Sequence, residues 1–353
     1  MSATLSASVV GGGSGGCLSL DALLASPRYE LVAAADISPQ AREALAARYP
    51  GIQLYPSHEA MFADCPTDVV CVSTWPPTHL PVTLDALSLP GLRGLLVEKP
   101  LADTARSGHQ LLQAIKERRL PMVVPHGLLK ARHGEEIIAR VHSGEIGELD
   151  LVEIQCNRWD IINAGIHWLD FFVNLLPDDP PAWVMAAIEA STQTYRDGMQ
   201  VETTAVTYIQ TESGVRCVMH TGDDVQIRRP GKDFLLRLVG SSGQIEFWAW
   251  ESAYLLRNQR HPAGVLVEPV PHAKGGHQRY LEQLADQIEA GQTDYRYGEL
   301  SLRALELCEG AYLAAANRCK ITFPLNVDDL PAAPDWHPGQ PYDGQGGRDG
   351  RKL

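Results

Sequence analysis

The sequence predicts a protein of the α/β class, with a doubly wound parallel sheet first and an α+β domain with a mostly antiparallel sheet second. Three observations predict this division. Apolar strand-like runs alternate with helix-like stretches through the first 125 residues, which is typical of a parallel sheet with helical crossovers on both faces. The second half contains strands in succession, without intervening helices. The length of 353 residues also suffices for roughly two domains at about 150 residues each.

The first 125 residues are predicted to form strands and helices in alternation. A strand that is buried on both faces needs a continuous apolar run, and Asp68-Val-Val-Cys-Val is such a run. The predicted strands are Leu5–Val10, Leu31–Ala35, Val69–Val72, Leu95–Val97 and Met122–Val124, and the predicted helices are Leu18–Ala25, Ala41–Arg48, His79–Leu87 and Thr104–Arg118.

The remaining chain is predicted to form the second domain and a tail. Its predicted helices are Glu135–His142, Ala164–Leu176, Gln278–Ala290 and Glu299–Asn317, and its predicted strands are Leu149–Cys156, Trp183–Ala190, Thr203–Thr211, Val215–Thr221, Phe234–Val239 and Gln244–Trp248. From about residue 332 the chain is rich in Pro, Gly and charge. We therefore expect domains at residues 1–125 and 126–330, and an extended or disordered tail at 331–353.

Composition excludes several classes of partner. Thirty Lys plus Arg against 43 Asp plus Glu give a net charge of −13, which argues against binding to nucleic acid or an anionic membrane. No apolar run reaches the roughly 18 residues of a membrane span, and Met1–Val10 lacks the basic start of a signal peptide. The seven cysteines contain no CxxC pair, which favours thiols in a reducing cytosol over disulfides or a zinc site. We expect a cytoplasmic protein without a bound metal.

A glycine-rich turn closes the first predicted strand. Gly11, Gly13 and Gly16 meet the G-x-G-x-x-G spacing, with Ser14 and Gly15 between the last two. In a dinucleotide-binding turn these glycines permit the tight turn, the approach of the pyrophosphate and the packing of helix on strand. The helix N-terminus then attracts the phosphates. A flexible glycine turn remains the alternative, because a segment so rich in glycine matches many patterns.

Asp36 follows Gly16 by twenty residues, at the end of the second predicted strand. A carboxylate in this position accepts hydrogen bonds from a ribose diol and repels a 2′-phosphate. No Arg or Lys follows at positions 37–40, so the sequence favours NAD over NADP. The alternative for Asp36 is a solvated helix cap before Ser38-Pro39.

Lys99 is a candidate for proton chemistry. It lies in Glu98-Lys99-Pro100, directly after the predicted strand Leu95–Val97. Ligands of open α/β sheets bind beyond the carboxyl ends of the strands, and Pro100 restricts the backbone there. The alternative is a surface ion pair, which contributes little to stability.

Asn163 and His167 are four residues apart at the start of a predicted helix, and therefore share one side of it. A histidine near its free pKa can take or give a proton at neutral pH. The alternative is a histidine in the core, on the apolar face of the helix.

These motifs together resemble the Gfo/Idh/MocA oxidoreductase family. The matching segments occur in the family's order over roughly residues 5–325, and they are Gly11–Gly16, Asp36, Ser73–His79 (Ser-Thr-Trp-Pro-Pro-Thr-His), Glu98–Pro100, Gly144–Gly147 and Gly165–Asp170 (Gly-Ile-His-Trp-Leu-Asp). The resemblance implies an N-terminal Rossmann domain and a C-terminal domain with a large open sheet, whose outer face usually builds homodimers or homotetramers. It also implies NAD(P)-dependent oxidation of a sugar or cyclitol hydroxyl, or reduction of the ketone.

The resemblance implies roles for single residues. Lys99 matches the family's catalytic lysine, which hydrogen-bonds the reacting oxygen near the nicotinamide, and His167 matches the histidine that moves the carbinol proton. We expect these two groups, from separate halves of the chain, to act on the same carbinol. The expected cofactor-binding residues are Gly11, Gly13, Ser14, Gly15, Gly16, Asp36, Ser73, Thr74, Trp75, Pro76, His79, Glu98 and Lys99.

The sequence departs from the family around the expected substrate. Asn163 occupies a position where the family often has Asp, and an amide can orient an imidazole but cannot stabilise its charged form. Asp160 and Asp170 are candidate substitutes, and Trp159 is a candidate to stack on a sugar or to lie in the core. The expected catalytic residues are Lys99, His167 and Asn163, and the expected substrate-binding residues are Lys99, His126, Lys130, Arg158, Trp159, Asp160, Asn163 and His167.

We therefore expect an NAD-dependent dehydrogenase that transfers a hydride between nicotinamide and a sugar, sugar acid or cyclitol. One alternative uses the same site with tightly bound NAD for transient oxidation, as in an epimerase, lyase or glycosidase-like enzyme. Another is a non-catalytic regulator that senses the dinucleotide, which the neutral Asn163 keeps open.

Overall fold

The computed structural model describes residues 4–227, 229, 231–326 and 337–342, and the chain divides into two compact units. The first unit comprises residues up to 125 together with 274–302, and the second comprises 126–273 and the residues from 303 onward. The division thus assigns residues 274–302 to the first unit, whereas the sequence analysis placed them in the second domain. Most of the predicted tail at 331–353 lies outside the described residues.

The described helices and strands alternate in the first unit and occur in longer series in the second. In chain order they are β1 (Leu5–Val10), α1 (Ser14–Ala25), β2 (Tyr29–Ala35), α2 (Pro39–Arg48), β3 (Gln53–Tyr55), α3 (His58–Asp64), β4 (Val69–Val72), α4 (His79–Leu87), β5 (Gly94–Val97), α5 (Ala105–Glu117), β6 (Met122–Val123), α6 (Arg132–His142), β7 (Leu149–Asn157), α7 (Ile166–Leu175), β8 (Pro181–Glu189), β9 (Thr194–Arg196), β10 (Met199–Val201), β11 (Thr204–Thr211), β12 (Arg216–Gly222), β13 (Phe234–Gly240), β14 (Gly243–Phe247), β15 (Tyr254–Asn258), β16 (Val265–Val267), α8 (Gly276–Ala290), α9 (Arg296–Asn317) and β17 (Ile321–Thr322).

A six-stranded parallel sheet with the order β3-β2-β1-β4-β5-β6 forms the centre of the first unit. The strand order reverses between β1 and β4, which is where ligands bind in doubly wound sheets. Side-chain caps begin the helices that follow the strands: Ser38 accepts from the amide of Ala41 at α2, and Thr104 accepts from that of Ser107 at α5. The predicted parallel, doubly wound sheet is confirmed.

Helices cover both faces of this sheet. On one face Leu20 and Leu23 of α1 pack in one apolar cluster with Leu281 and Leu284 of α8. On the other face residues of α4 and α5 form a second cluster with the strands. Because the apolar side of α8 completes the first cluster, residues 274–302 belong to the first unit.

The second unit contains a nine-stranded sheet with the order β16-β15-β14-β13-β7-β12-β11-β8-β17. Only β7 and β12 run parallel, and the other neighbours are antiparallel. The predicted mostly antiparallel sheet is therefore confirmed. The hairpin β9–β10 pairs separately, and Gln200 in it exchanges backbone hydrogen bonds with Gly339 and Gln340. No helix in the described part of the chain is long and apolar enough to span a bilayer.

Helix α7 is preceded by one wide π-helical turn at Ile161–Gly165. Asp160 begins this turn, because its carboxylate accepts a hydrogen bond from the amide of Asn163. The sequence analysis placed the helix at Ala164–Leu176, whereas α7 begins at Ile166. A side-chain cap and a wide turn carry little hydrophobic periodicity, so the true start of this helical segment was not visible in the pattern.

Candidate active site

The glycine turn joins β1 to α1 at very short distances. Gly11 has φ of 103°, and a side chain there would come within 2.3 Å of the carbonyl oxygen of Ser73. At Gly16 a Cβ would lie 1.9 Å from the carbonyl oxygen of Gly11, so the helix approaches the strand closely only with glycine. Gly13 provides no side-chain cap for α1, and Ser14 and Gly15 open the helix. The amide groups of this first turn can therefore face a phosphate.

A cavity of about 490 Å³ lies beside this turn in the first unit. Its lining includes several of the predicted cofactor-binding residues, namely Gly11, Gly13, Asp36, Ser73, Thr74 and Trp75. It also includes residues that the sequence analysis did not identify, namely Ile37, Ser38, Ser57, His58 and Thr78. Ile37 is 86% exposed and Trp75 is 62% exposed. These two apolar side chains of the cavity can therefore pack against a planar nucleobase.

Asp36 lies on the wall of the cavity. Its Oδ2 accepts a hydrogen bond from the amide of Gly12 and its Oδ1 from the amide of Ser38, both at 2.7 Å. A carboxylate has about four lone-pair positions, so acceptor capacity remains for a ribose diol. The helix-cap alternative applies instead to Ser38, whose own side chain caps α2. Arg42 donates to the carbonyl oxygens of Asp36 and Ile37. The glycine turn and Asp36 together fit NAD.

His79 contacts the backbone of the loop that follows β4. It is fully buried, and its Nε2 and Nδ1 each lie 2.9 Å from a backbone carbonyl oxygen, of Thr74 and Pro100 respectively. Burial lowers the pKa of His79, although the hydrogen bonds to backbone carbonyl oxygens oppose this effect. We predicted that His79 and Pro76 contact the cofactor, but both are buried and neither lines the cavity. Through its contact with the carbonyl oxygen of Thr74, His79 fixes the wall that Thr74 and Trp75 form.

Glu98 and Lys99 follow β5. Glu98 is buried, and its Oε1 lies 2.6 Å from Nε2 of His277, while its Oε2 accepts a hydrogen bond from the amide of Lys99. Burial raises the pKa of Glu98, but the attraction of His277 and Lys99 outweighs it and the net pKa lies below the ordinary value. Glu98 is therefore an anion beside Lys99. No local pattern links His277 to Glu98, because 179 positions of sequence separate them.

His167 lies in the first turn of α7 among aromatic rings of the second unit. Its ring centroid is 5.2 Å from that of Trp250 and 5.7 Å from that of His126, and both rings are nearly perpendicular to it. Trp168 is next to it in the cluster, at 6.1 Å. His167 keeps some exposed surface, so the core-histidine alternative describes its surroundings only in part. Trp250 was not identified from the sequence.

Asn163 and Asp160 belong to a buried polar network. The amide nitrogen and the side-chain Nδ2 of Asn163 both donate to Oδ1 of Asp160, at 2.7 and 3.2 Å. Oδ2 of Asp160 lies 3.3 Å from a guanidinium nitrogen of Arg196. We predicted that Asp160 contacts substrate, but it has no exposed surface. The structure instead makes Asp160 the cap that fixes the turn carrying Asn163.

Glu202 completes this network. Its two carboxylate oxygens accept hydrogen bonds from the amide of Ile161 at 2.7 Å and from the hydroxyl of Tyr312 at 2.9 Å. Burial, with a smaller contribution from Asp160, raises the pKa of Glu202 to about 7. The network ties the turn before α7 to β10 and α9 within the second unit.

Asp170 and His126 form a second buried pair. Both side chains are at most 2% exposed, and Oδ2 of Asp170 lies 3.6 Å from Nδ1 of His126. Burial raises the pKa of Asp170 well above its ordinary value. We predicted that His126 binds substrate directly, but its burial leaves almost no surface for that contact. The ring of His126 instead packs against that of His167.

The other predicted substrate residues differ in their surroundings. Lys130 ends a short 3-10 helix at Gly127–Lys130 and is half-buried. Arg158 is exposed and pairs with Asp233 at 2.9 Å. Trp159 is half-buried, with the guanidinium of Arg196 4.2 Å from its ring centre. Across the described residues no three His, Cys, Asp or Glu side chains are arranged to hold a metal ion.

The fold and the cavity of the first unit define a dinucleotide-binding α/β protein. Residues 5–126 match the Gfo/Idh/MocA model, which describes an oxidoreductase family with an NAD-binding Rossmann fold. The resemblance to this family that the sequence predicted is thereby confirmed, together with its NAD-binding Rossmann domain.

The chain is also similar to individual proteins. The chain is 27% identical over 225 residues to an inositol 2-dehydrogenase of Burkholderia multivorans. The aligned region covers 60% of this chain and 64% of that protein. Two crystal structures share the fold over 91% of this chain. They are an inositol dehydrogenase homologue of Azotobacter vinelandii with NADH and myo-inositol (TM-score 0.75, 18% identity, 98% of that chain) and an aldose-aldose oxidoreductase of Caulobacter crescentus (TM-score 0.76, 20% identity, 100% of that chain).

Proposed function

We propose that this protein is an NAD-dependent oxidoreductase that moves a hydride between nicotinamide and a CH–OH carbon of a sugar, sugar acid or cyclitol. The observation that carries the proposal is the first-unit cavity, in which the glycine turn and Asp36 fit the dinucleotide. The similarity to an inositol 2-dehydrogenase supports the class of substrate.

Lys99 is proposed to donate a hydrogen bond to the reacting oxygen. Bound NAD supplies the hydride acceptor, and the protein supplies position and proton transfer. The anionic Glu98, fixed by His277, favours the charged ammonium of Lys99. A charged donor stabilises the oxygen as its proton leaves.

His167 is proposed to take the carbinol proton during oxidation and to return it during reduction. The perpendicular rings of Trp250 and His126 restrict the orientation of its imidazole. Asn163 adds no negative charge to the surroundings of His167, and its side-chain amide donates a hydrogen bond to Asp160. General acid–base groups contribute roughly 10²–10⁴ in rate, so we propose that His167 works with modest electrostatic support.

A panel of sugars, sugar acids and cyclitols tests the proposal, with NADH formation followed by absorbance at 340 nm. We expect turnover of at least one cyclic polyol, and a fall of about 10²-fold or more in kcat for Lys99→Ala. NAD affinity, measured by calorimetry, should fall far less than kcat, because the glycine turn and Asp36 are expected to hold most of the dinucleotide. A Lys99→Ala variant with full kcat would remove the assigned role.

A second candidate uses the same residues with NAD that stays bound, so that transient oxidation permits epimerisation or elimination. Stoichiometric NAD in the purified protein, with product formed and no NADH released, would favour this candidate over the dehydrogenase.

A further inference from the structure

Trp250 is a large aromatic side chain that the fold leaves half exposed beside His167. It is 48% exposed, although the preceding Trp248 and Ala249 are buried. Its ring centroid is 5.2 Å from that of His167 and 5.3 Å from that of Trp168. An indole carries a large apolar area, so the exposed part of this ring is available to a ligand that reaches His167.

The backbone fixes Trp250 in this position. Ala249, directly before it, has φ of 54°, in the left-handed region that residues other than glycine seldom adopt. Its carbonyl oxygen accepts a hydrogen bond from Nε2 of His133 at 2.7 Å. Burial lowers the pKa of His133, so this buried ring is a neutral donor with a fixed tautomer. Local strain of this kind persists where the surroundings determine it, often at functional sites.

We propose that the exposed part of Trp250 is a stacking platform for the ring of a cyclic polyol substrate. This inference rests on the proposed function, because it assigns the ring beside His167 to the substrate of that reaction. Trp250 would contact the substrate and thereby determine which polyols the protein binds.

The chemistry of the platform selects one class of polyol. A six-membered sugar or cyclitol ring presents axial C–H bonds on its faces and hydroxyls around its rim. The C–H face can pack on an indole while the rim hydroxyls keep their hydrogen bonds. An open-chain polyol has no fixed apolar face, and it would have to lose conformational freedom in order to present one. The platform therefore favours cyclic over open-chain polyols of equal carbon number.

Steady-state kinetics of Trp250→Ala, Trp250→Phe and wild type test the proposal, with myo-inositol and glucose as cyclic probes and sorbitol as the open-chain probe. Trp250→Ala should raise KM for the cyclic probes about tenfold or more, and any fall in kcat from the loss of the ring beside His167 should be the same for cyclic and open-chain probes. Trp250→Phe should restore most of the affinity, and KM for sorbitol should not change. Val270→Ala, at an exposed apolar residue of the same unit, is the matched control. An unchanged KM for the cyclic probes in Trp250→Ala would overturn the proposal.

Calorimetry separates this inference from the proposed function. If no polyol yields NADH, the proposed function fails, and the platform is then tested by titrating myo-inositol and methyl glucoside into NAD-saturated protein. Binding that weakens about tenfold in Trp250→Ala supports the platform. Equal binding by both proteins, or no binding to wild type, overturns it. If Trp250→Ala does not fold, as judged by thermal unfolding, Trp250→Leu replaces it, because leucine keeps apolar bulk without an aromatic face.

Discussion

At the scale of single residues, the expected selection of NAD over NADP depends on the carboxylate of Asp36. Asp36 is held by the amides of Gly12 and Ser38, so its charge has a fixed place at the cavity wall. A 2′-phosphate at that place would meet an anion, and a ribose diol would meet an acceptor. We therefore expect a preference for NAD that comes from charge as well as from hydrogen bonding.

Asp36→Asn should lower the preference for NAD over NADP. The amide has nearly the same shape but no charge, so the repulsion of the 2′-phosphate is lost and one acceptor becomes a donor. We expect the dissociation constant of NADP divided by that of NAD to fall about tenfold or more, as measured by calorimetry with each dinucleotide. Asp286→Asn, on α8 of the same unit, removes an exposed charge and serves as control. An unchanged ratio in Asp36→Asn would contradict the assignment.

Spacing along the chain was enough to predict some of the site residues, whereas the others are brought to the site only by tertiary contacts. The glycine turn, Asp36 and Lys99 each follow a strand directly, so spacing along the chain was enough to propose them. His277, Ile37 and Trp250 had no such signal. His277 meets Glu98 across 179 positions of sequence, and an exposed tryptophan becomes informative only when its neighbours are known.

At the scale of elements, the turn before α7 depends on a buried acid. Glu202 has a pKa of about 7, against an ordinary value of 4.5, chiefly because of burial and then because of Asp160. The folded protein thus binds a proton more tightly than the unfolded chain at this group. Between pH 4.5 and 7 the free energy of unfolding falls as pH rises, by at most about 3 kcal/mol from Glu202.

Glu202→Gln should remove this pH dependence. Glutamine can still accept from the amide of Ile161 and pair with the hydroxyl of Tyr312, so the fold should persist. We expect the stability of wild type relative to the variant to decrease from about pH 5 to pH 7, measured by urea unfolding. Glu212→Gln, at an exposed position, is the control. Parallel pH profiles for wild type and Glu202→Gln would show that the carboxylate is not proton-coupled.

Element length explains which parts of the fold could be predicted. The longer strands and helices of both units lie close to their predicted positions, because several apolar residues define each period. The strands β3, β9, β10, β15, β16 and β17 and the helix α3 were not predicted, and most of them have too few residues for a periodic signal. The place of α8 in the first unit also needed the structure, since an amphipathic helix does not reveal which sheet it covers.

At the scale of the whole molecule, one face of the nine-stranded sheet presents an apolar surface. We define the sheet patch as Trp183, Met185, Val206 and Tyr208, which lie on the neighbouring strands β8 and β11. Met185 is 49% exposed and Val206 is 42% exposed, and the rings of Trp183 and Tyr208 stack at 5.2 Å. Contiguous exposed apolar residues of this kind commonly mark an interface. The sheet patch supports the expected homodimer or homotetramer.

Val206→Arg should therefore lower the mass of the protein in solution, if the sheet patch forms the expected interface between copies of the chain. An arginine at the sheet patch would place a charge within an apolar interface, and burying it without a partner costs several kcal/mol. We expect wild type to have the mass of a dimer or tetramer by size exclusion with light scattering, and Val206→Arg to have a lower mass at equal concentration. Leu24→Arg, at an exposed position on α1, should keep the wild-type mass. Val206 alternates with the inward-facing Ala205 and Thr207, so the variant should retain its thermal stability. A monomeric wild type would contradict the assignment of the sheet patch to an interface.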